Sequence, residues 1–176
     1  MKRLVVFVGD SGSGKTTLVT ELVKRYPGKF RKVVTCTSRS MRVGEVEGKD
    51  YHFFPRNFFV NNQDLVLVKY SENETCYGTR KQDLYSDTHH LLLTSKPTGV
   101  PKLTQLGFRN VVVVRISIDE KLKIERLRQR GDSEDEISTR LVLDNLGHDV
   151  GFSNTAIDLR AEQSLNEKIE FVLSAC

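Results

Sequence analysis

Residues 9 to 17 combine glycine, lysine and threonine at a spacing suited to binding phosphate groups. They read Gly-Asp-Ser-Gly-Ser-Gly-Lys-Thr-Thr and directly follow the apolar run 4–8. Glycines let the backbone curl so that N–H groups point at phosphate oxygens, and the following helix adds the positive end of its dipole. In such a loop Lys15 reaches the β- and γ-phosphates of a nucleotide, and the Thr16 hydroxyl binds Mg²⁺. The predicted nucleotide-binding residues of this phosphate-binding loop are Gly9, Ser11, Gly12, Ser13, Gly14, Lys15, Thr16 and Thr17.

Asp10 is an unusual residue for this loop, because it adds a carboxylate to a segment that binds anions. Its side chain must point away from the phosphates, since otherwise it would weaken their binding. The alternative interpretation of residues 9–17 is a glycine turn ahead of an amphipathic helix. The strand pattern before the segment and the helix pattern after it favour the phosphate-binding loop.

The composition indicates an ordinary globular domain. The chain has 176 residues, of which 38% are hydrophobic and 28% charged, with a net charge of +4. No apolar run approaches the roughly 20 residues needed to span a bilayer, and the first run is too short for a signal peptide, so we expect no membrane partner. No basic run supports binding to nucleic acid. The odd number of cysteines, at spacings that fit no metal site, suggests free thiols in a reducing compartment, which predicts a cytoplasmic protein.

Strand and helix patterns alternate along most of the chain. Strands are predicted over 3–8, 91–93, 111–116 and 155–158. Helices are predicted over 15–25, 100–106 and 165–173, with one more from Asp119 to about residue 129 and another that ends at Arg140. The β-branched run 111–116 is typical of a central strand covered on both faces. We therefore predict an α/β fold with a three-layer parallel sheet and the ligand at the carboxyl ends of its strands.

Residues 33–80 interrupt this alternation with a small β-rich insertion. Its strand-like segments are 33–35, 51–54 and 65–70, separated by polar and glycine-bearing stretches. The predicted division is a core of residues 1–32 and 81–176, into which the subdomain of residues 33–80 is inserted.

A longer pattern begins within this insertion. Residues 35–51 read Thr-Cys-Thr-Ser-Arg-Ser-Met-Arg-Val-Gly-Glu-Val-Glu-Gly-Lys-Asp-Tyr, and residues 77–79 read Tyr-Gly-Thr. This pattern resembles the acceptor-binding segment of guanylate kinases. Arginines at positions 126, 130 and 140 resemble the lid of the same family, shortened by one residue. The resemblance covers most of the chain, in order.

The resemblance implies a P-loop nucleoside monophosphate kinase that transfers a phosphoryl group from Mg-ATP to GMP or dGMP. Arg39 and Arg42, three residues apart, could both turn toward one acceptor phosphate, a task that suits guanidinium groups. The residues implied to bind the monophosphate are Thr35, Arg39, Arg42, Tyr51, Tyr77 and Thr79. The alternative is two solvated arginines and two core tyrosines.

The lid is implied to be helical and to span about residues 130–147. By resemblance, Arg126, Arg130 and Arg140 close over the ATP phosphates and spread the charge of the transferring group. Arg126 is expected to bind ATP, whereas Lys15, Arg39, Arg130 and Arg140 are expected to act in catalysis. Because these lid arginines lie among acidic residues, they could instead form ion pairs on helix surfaces.

Three positions depart from the family pattern where the base should be recognised. Val68 occupies the place of a glutamate that reads guanine, unless a local shift brings Glu72 or Glu74 there. Thr94 and Lys96 replace two carboxylates that help to bind guanine and to organise Mg²⁺. These changes motivate two alternatives, namely a kinase acting on another phosphorylated acceptor and a nucleotide-binding interaction module without turnover.

Overall fold

The structure is a computed structural model that describes residues 2–60, 62–70, 75–95, 97–145 and 156–176. Its core strands are β1 (Leu4–Gly9), β2 (Phe30–Lys32), β7 (His90–Thr94), β8 (Val111–Ser117) and β9 (Ala156–Arg160). Its helices are α1 (Lys15–Arg25), α2 (Val100–Gln105), α3 (Glu120–Gln129), α4 (Glu134–Asn145) and α5 (Leu165–Ser174). Short 3₁₀ turns span Arg56–Phe59, Lys81–Leu84 and Pro97–Gly99.

The core sheet is parallel, with the strand order β2-β7-β1-β8-β9. Strand β1 lies at its centre, and residues 5–8 are fully buried because both faces of the sheet are covered. Helices α1 and α5 contribute Leu18, Leu22 and Ile169 to the apolar cluster on one face. Helix α2 contributes Val100 and Leu103 to the cluster on the other face. The predicted three-layer α/β fold is therefore confirmed.

A second sheet of four strands has the order β4-β3-β6-β5. Its strands are β3 (Cys36–Thr37), β4 (His52–Phe53), β5 (Leu65–Tyr70) and β6 (Cys76–Arg80). Strand β3 pairs parallel to β4 and antiparallel to β6, and β6 pairs antiparallel to β5. Its own small core contains Cys36, Phe59, Leu65 and Cys76. All four strands fall within the predicted insertion, whose division from the core stays a prediction.

The predicted strand at residues 33–35 is wrong. Strand β2 ends at Lys32 and β3 begins at Cys36, so the segment between them connects the two sheets. Val33 still donates its N–H to the carbonyl oxygen of Leu92 in the core sheet, at 2.9 Å. Further along, Thr35 accepts the N–H of His52 in the second sheet, at 2.8 Å. A β-branched run favours extended backbone, but here its partners belong to two different sheets.

Other predicted elements are close to the observed ones. Helix α1 spans the predicted residues, and Asp119 caps α3 by accepting the N–H groups of Lys121 and Leu122. Helix α4 is longer than predicted, since it continues past Arg140 to Asn145. Residue 155 of the predicted last strand lies outside the described residues. Within the described part of the chain, no helix is long and apolar enough to cross a membrane.

Candidate functional site

The phosphate-binding loop leaves β1 through a backbone conformation that only glycine tolerates. Gly9, Gly12 and Gly14 have φ angles of 138°, 80° and 95°. A Cβ atom on Gly9 would lie 2.2 Å from the carbonyl oxygen of Ile116, so a side chain is excluded there by contact as well as by conformation. Helix α1 then begins without a side-chain cap and without an acidic residue in its first turn. Its N-terminus therefore presents main-chain N–H groups to an anion.

Lys15 lies across the loop that precedes it. Its Nζ donates to the carbonyl oxygen of Gly9 at 2.8 Å, to that of Asp10, and to Oγ of Ser13 at 3.3 Å. Ser13 is completely buried, whereas Thr16 and Thr17 are exposed at the start of α1. The loop thus curls around the ammonium group, and the two threonine side chains face the solvent.

Helix α3 contacts the loop from the side through two cationic side chains. Lys123 Nζ lies 3.1 Å from Oδ2 of Asp10. One turn further along the helix, Arg126 donates to the carbonyl oxygen of Gly12 at 3.0 Å and to that of Ala161 at 3.5 Å. Arg126 thus holds the loop backbone in place through a hydrogen bond. Its contact with ATP stays a prediction.

Two of the three predicted lid arginines, Arg130 and Arg140, share one buried carboxylate. Asp132, whose side chain is 6% exposed, contacts Nη2 of Arg130 and lies 3.7 Å from Nε of Arg140. Arg140 also donates from Nη1 to Oγ of Ser11 at 3.3 Å, which links α4 directly to the phosphate-binding loop. Sequence reasoning missed Asp132, although an acid two residues after Arg130 was a signal for this pairing.

Arg39 forms the centre of the predicted acceptor site. Its guanidinium group makes a two-point contact with the Glu45 carboxylate, and one of these hydrogen bonds measures 2.8 Å. The guanidinium carbon lies 5.1 Å from the ring centre of Tyr51 and 5.7 Å from that of Phe53. The rings of Tyr51 and Tyr77 are 6.3 Å apart. The structure therefore brings Arg39, Tyr51 and Tyr77 together.

The electrostatics of this cluster follow from its contacts. The hydrogen bonds that Arg39 donates to the Glu45 carboxylate raise the pKa of Arg39, and the same bonds lower the pKa of Glu45. Burial is the main cause that raises the pKa of Tyr51. Its phenol is therefore protonated at neutral pH, and it can donate a hydrogen bond to an anion.

The other predicted acceptor residues lie around this cluster. Arg42 has an exposed side chain, but its main-chain N–H donates to the Glu45 carboxylate at 2.8 Å. Glu45 thus orients both arginine positions, a role that sequence reasoning missed although the residue belongs to the quoted pattern. Thr79 is buried on β6, and Thr35 is half-buried between β2 and β3.

Two of the positions that depart from the family pattern lie in strands, Thr94 in β7 and Val68 in β5. Thr94 ends β7, is half-buried and pairs in register with Phe7 of β1. In the second sheet, Val66 pairs with Thr79 and Lys69 with Tyr77, so residues 67 and 68 together face Gly78 in a β-bulge. The side chain of Val68, together with Glu72, Glu74 and Lys96, lies outside the described residues.

Comparisons with known proteins agree with this arrangement. The sequence profile of the family described as guanylate kinase matches residues 1–145. A guanylate kinase from Chlorobium luteolum is 29% identical over 180 residues, covering 98% of this chain and 90% of that protein. A guanylate kinase from Synechococcus sp. is 31% identical over 186 residues, covering 96% and 84%. The crystal structure of guanylate kinase from Anaplasma phagocytophilum superimposes with a TM-score of 0.66 at 20% identity, covering 98% and 83%. The chain belongs to the guanylate kinase family.

Proposed function

We propose that this protein transfers the γ-phosphoryl group of ATP to the phosphate of GMP or dGMP, producing ADP and GDP or dGDP. An acceptor phosphate oxygen forms the new bond to the γ-phosphorus as the bond to the β–γ bridging oxygen breaks. Family membership supports this reaction. The observation that carries the proposal is the presence of two cationic sites in one chain, the loop around Lys15 and the cluster around Arg39. Two anionic nucleotides need two such sites.

ATP binding would replace contacts that Lys15 now makes within its own loop. The ammonium group exchanges the carbonyl oxygens of Gly9 and Asp10 for β- and γ-phosphate oxygens. The uncapped start of α1 supplies main-chain N–H groups to the same phosphates. Glycines at positive φ angles curl the loop backbone around Lys15, a conformation that turns main-chain N–H groups toward a bound anion.

The acceptor phosphate would bind where Arg39, Tyr51 and Tyr77 converge. Glu45 fixes the plane of the Arg39 guanidinium, and the hydroxyl groups of the two tyrosines add hydrogen-bond donors. Arg42 joins them from the surface. Positioning and charge neutralisation suffice for direct transfer, so the reaction needs no covalent enzyme intermediate and no general base.

Arg130 and Arg140 would stabilise the negative charge of the transferring group. Arg140 already reaches Ser11 of the phosphate-binding loop, and its Nε is buried without a hydrogen-bond partner among the described residues. The Asp132 carboxylate, 3.7 Å from this Nε, is too distant for a hydrogen bond, so a phosphate oxygen that accepts one there would be favoured. Closure of the lid over the nucleotides also excludes water and limits hydrolysis of ATP.

Replacing Asp132 by asparagine should lower kcat by about 10- to 100-fold while the KM for GMP changes little. A neutral amide cannot hold two guanidinium groups, so both lid arginines lose their fixed positions, and misplaced charge stabilises the transition state poorly. Steady-state kinetics with varied GMP at saturating ATP measure this effect. Asp158→Asn is the matched control, because that carboxylate is 70% exposed on β9. Equal losses in both variants would contradict the proposed role of Asp132.

Mg²⁺ fits the chemistry of the residues at the start of α1. The Thr16 hydroxyl is a hard oxygen ligand on an exposed side chain next to the loop. Among the described residues, no group of three or more histidine, cysteine or acidic side chains is placed to hold a metal ion. Mg²⁺ is commonly bound through few protein ligands together with substrate phosphates and water. When bound, it neutralises charge on the β- and γ-phosphate oxygens.

Recognition of the base involves positions at which this chain departs from the family pattern. A polar site rejects a wrong base by leaving its own groups unpaired, but Val68 and Thr94 cannot supply the carboxylates of the usual pattern. We therefore expect guanine preference to be weaker than a site with those carboxylates would give. Thr35 and Thr79 retain the hydroxyls of the pattern, which supports guanine as the base.

A panel of nucleoside monophosphates with Mg-ATP tests the function. We expect ADP release with GMP and dGMP to exceed that with AMP, CMP and UMP. If only another acceptor were phosphorylated, that acceptor would be the substrate in place of GMP. ATP binding without turnover on any acceptor would indicate an interaction module.

The cysteines bear on the cellular location of the protein. All three are free thiols among the described residues, which supports the proposed cytoplasmic location, where thiols stay reduced.

A further inference from the structure

Asp10 and Lys123 form a charge pair at the side of the phosphate-binding loop. Oδ2 of Asp10 lies 3.1 Å from Nζ of Lys123, although the two residues are 113 positions apart in sequence. The exposed fractions of the two side chains are 16% for Asp10 and 3% for Lys123. A nearly buried lysine on a helix is costly unless an opposite charge compensates it, so the pair is a specific feature of this fold.

The position of Asp10 makes this pair relevant to nucleotide binding. Its carbonyl oxygen accepts from Nζ of Lys15 and from the N–H of Ser13, so the residue is part of the loop curled around Lys15, where the phosphates would bind. An uncompensated carboxylate in that curl would repel the phosphates of a nucleotide over the short distances inside the loop. The neighbouring contact of Arg126 with Gly12 keeps the same face of α3 against the loop.

We propose that Lys123 is the counter-charge that makes an acidic residue in this loop compatible with polyphosphate binding. Lys123 acts on the nucleotide through Asp10, whose negative charge it offsets, and is therefore not a catalytic residue. This inference rests on the proposed function only in taking ATP as the phosphate donor. It makes no use of the identity of the acceptor.

The two single substitutions should have opposite effects on ATP affinity. Lys123→Met removes the cation that faces Asp10 and should weaken Mg-ATP binding by about tenfold, whereas Asp10→Asn removes the carboxylate from the loop and should bind Mg-ATP as tightly as the unsubstituted protein or more tightly. The double variant Asp10→Asn/Lys123→Met should return to within about threefold of the original affinity, since both charges are then absent. Isothermal titration with Mg-ATP at low salt measures all four dissociation constants.

Comparing thermal stability with ATP affinity in the two single variants distinguishes charge compensation from a purely structural role. Both single variants remove one member of a largely buried charge pair, so both should lower the midpoint of thermal unfolding. If the pair only held the loop in shape, both would also weaken ATP binding. Weaker binding by more than about threefold in Asp10→Asn, or no recovery of affinity in the double variant, would overturn the proposal. Should Lys123→Met fail to fold, the Asp10→Asn result decides.

Two controls complete the design. Lys121→Met removes an exposed positive charge from the same helix and should leave ATP affinity unchanged. Lys123→Arg keeps the charge and should preserve most of the affinity. Because binding is measured without an acceptor, an unsubstituted protein that binds Mg-ATP but does not phosphorylate GMP would refute the proposed function and leave this test intact.

Discussion

Replacing Lys15 by alanine is expected to lower kcat for GMP phosphorylation by about a thousandfold, or roughly 4 kcal/mol of transition-state stabilisation. The ammonium group lies within the curl of the phosphate-binding loop, where the γ-phosphate would bind. Alanine there removes a positive charge from the point at which negative charge develops. Coupled detection of ADP with saturating GMP measures the loss.

The control for Lys15 is a lysine of the same helix that faces the solvent. Lys24 is 76% exposed, and Lys24→Ala should leave kcat unchanged. Because Lys15 also bonds to loop oxygens, thermal unfolding and Mg-ATP affinity should be recorded for each variant. A Lys15→Ala protein that folds normally and retains activity within tenfold of the original would contradict the assigned role.

Replacing Arg39 by lysine should raise the KM for GMP by about 30- to 100-fold and leave the KM for ATP nearly unchanged. Lysine keeps the positive charge, but it cannot make the two-point contact with Glu45 while also reaching the acceptor phosphate. A lost hydrogen bond to a charged group typically costs about 1.5–3 kcal/mol, which corresponds to the expected change. Initial rates with each nucleotide varied in turn separate the two KM values.

Arg25 offers a matched control for this substitution. It also pairs with a glutamate, Glu21, at 3.1 Å, but it lies exposed on α1. Arg25→Lys should therefore change neither KM. If Arg39→Lys raised the two KM values equally, the cluster around Arg39 would affect the whole protein and would not be a specific acceptor site.

The sequence predicted the nucleotide end of the fold well because the signals there are local. Glycines that need positive φ angles and the helix beginning at Lys15 lie within nine consecutive residues. The β-branched run in β8 likewise identified a central strand, since such a run is stable only when both faces are covered. Each of these features depends on residues close together in the chain.

Strand pairing in the second sheet was harder to predict. The segment 33–35 has the composition of a strand but connects two sheets, and the bulge at residues 67–68 shifts the register of β5 against β6. Both outcomes depend on which strand becomes the neighbour, and composition does not specify that. Residues placed by counting along β5, such as Val68, are the most sensitive to such a shift.

Contacts between segments that are far apart in the chain also could not be predicted from the sequence. Asp10 pairs with Lys123, and Arg140 reaches Ser11, across more than one hundred residues in each case. The charged residues around α3 and α4 are consistent with ordinary surface ion pairs when only the helices are considered. Only the position of α3 and α4 against the phosphate-binding loop distinguishes a buried pairing from an exposed one.

The connection between β2 and β7 has a consequence for how specificity can change. These neighbouring strands run parallel, with Phe30 opposite His90, and such neighbours normally need a crossover of about a dozen residues or more, usually a helix. Here the whole second sheet occupies that crossover. The strand order of the core depends on the crossover between β2 and β7 and not on the order of strands within it, so we expect that the segment can be exchanged between related enzymes when the core contact of Val66 is kept. We expect such chimaeras to retain their phosphate donor while acquiring the acceptor preference of the transplanted segment.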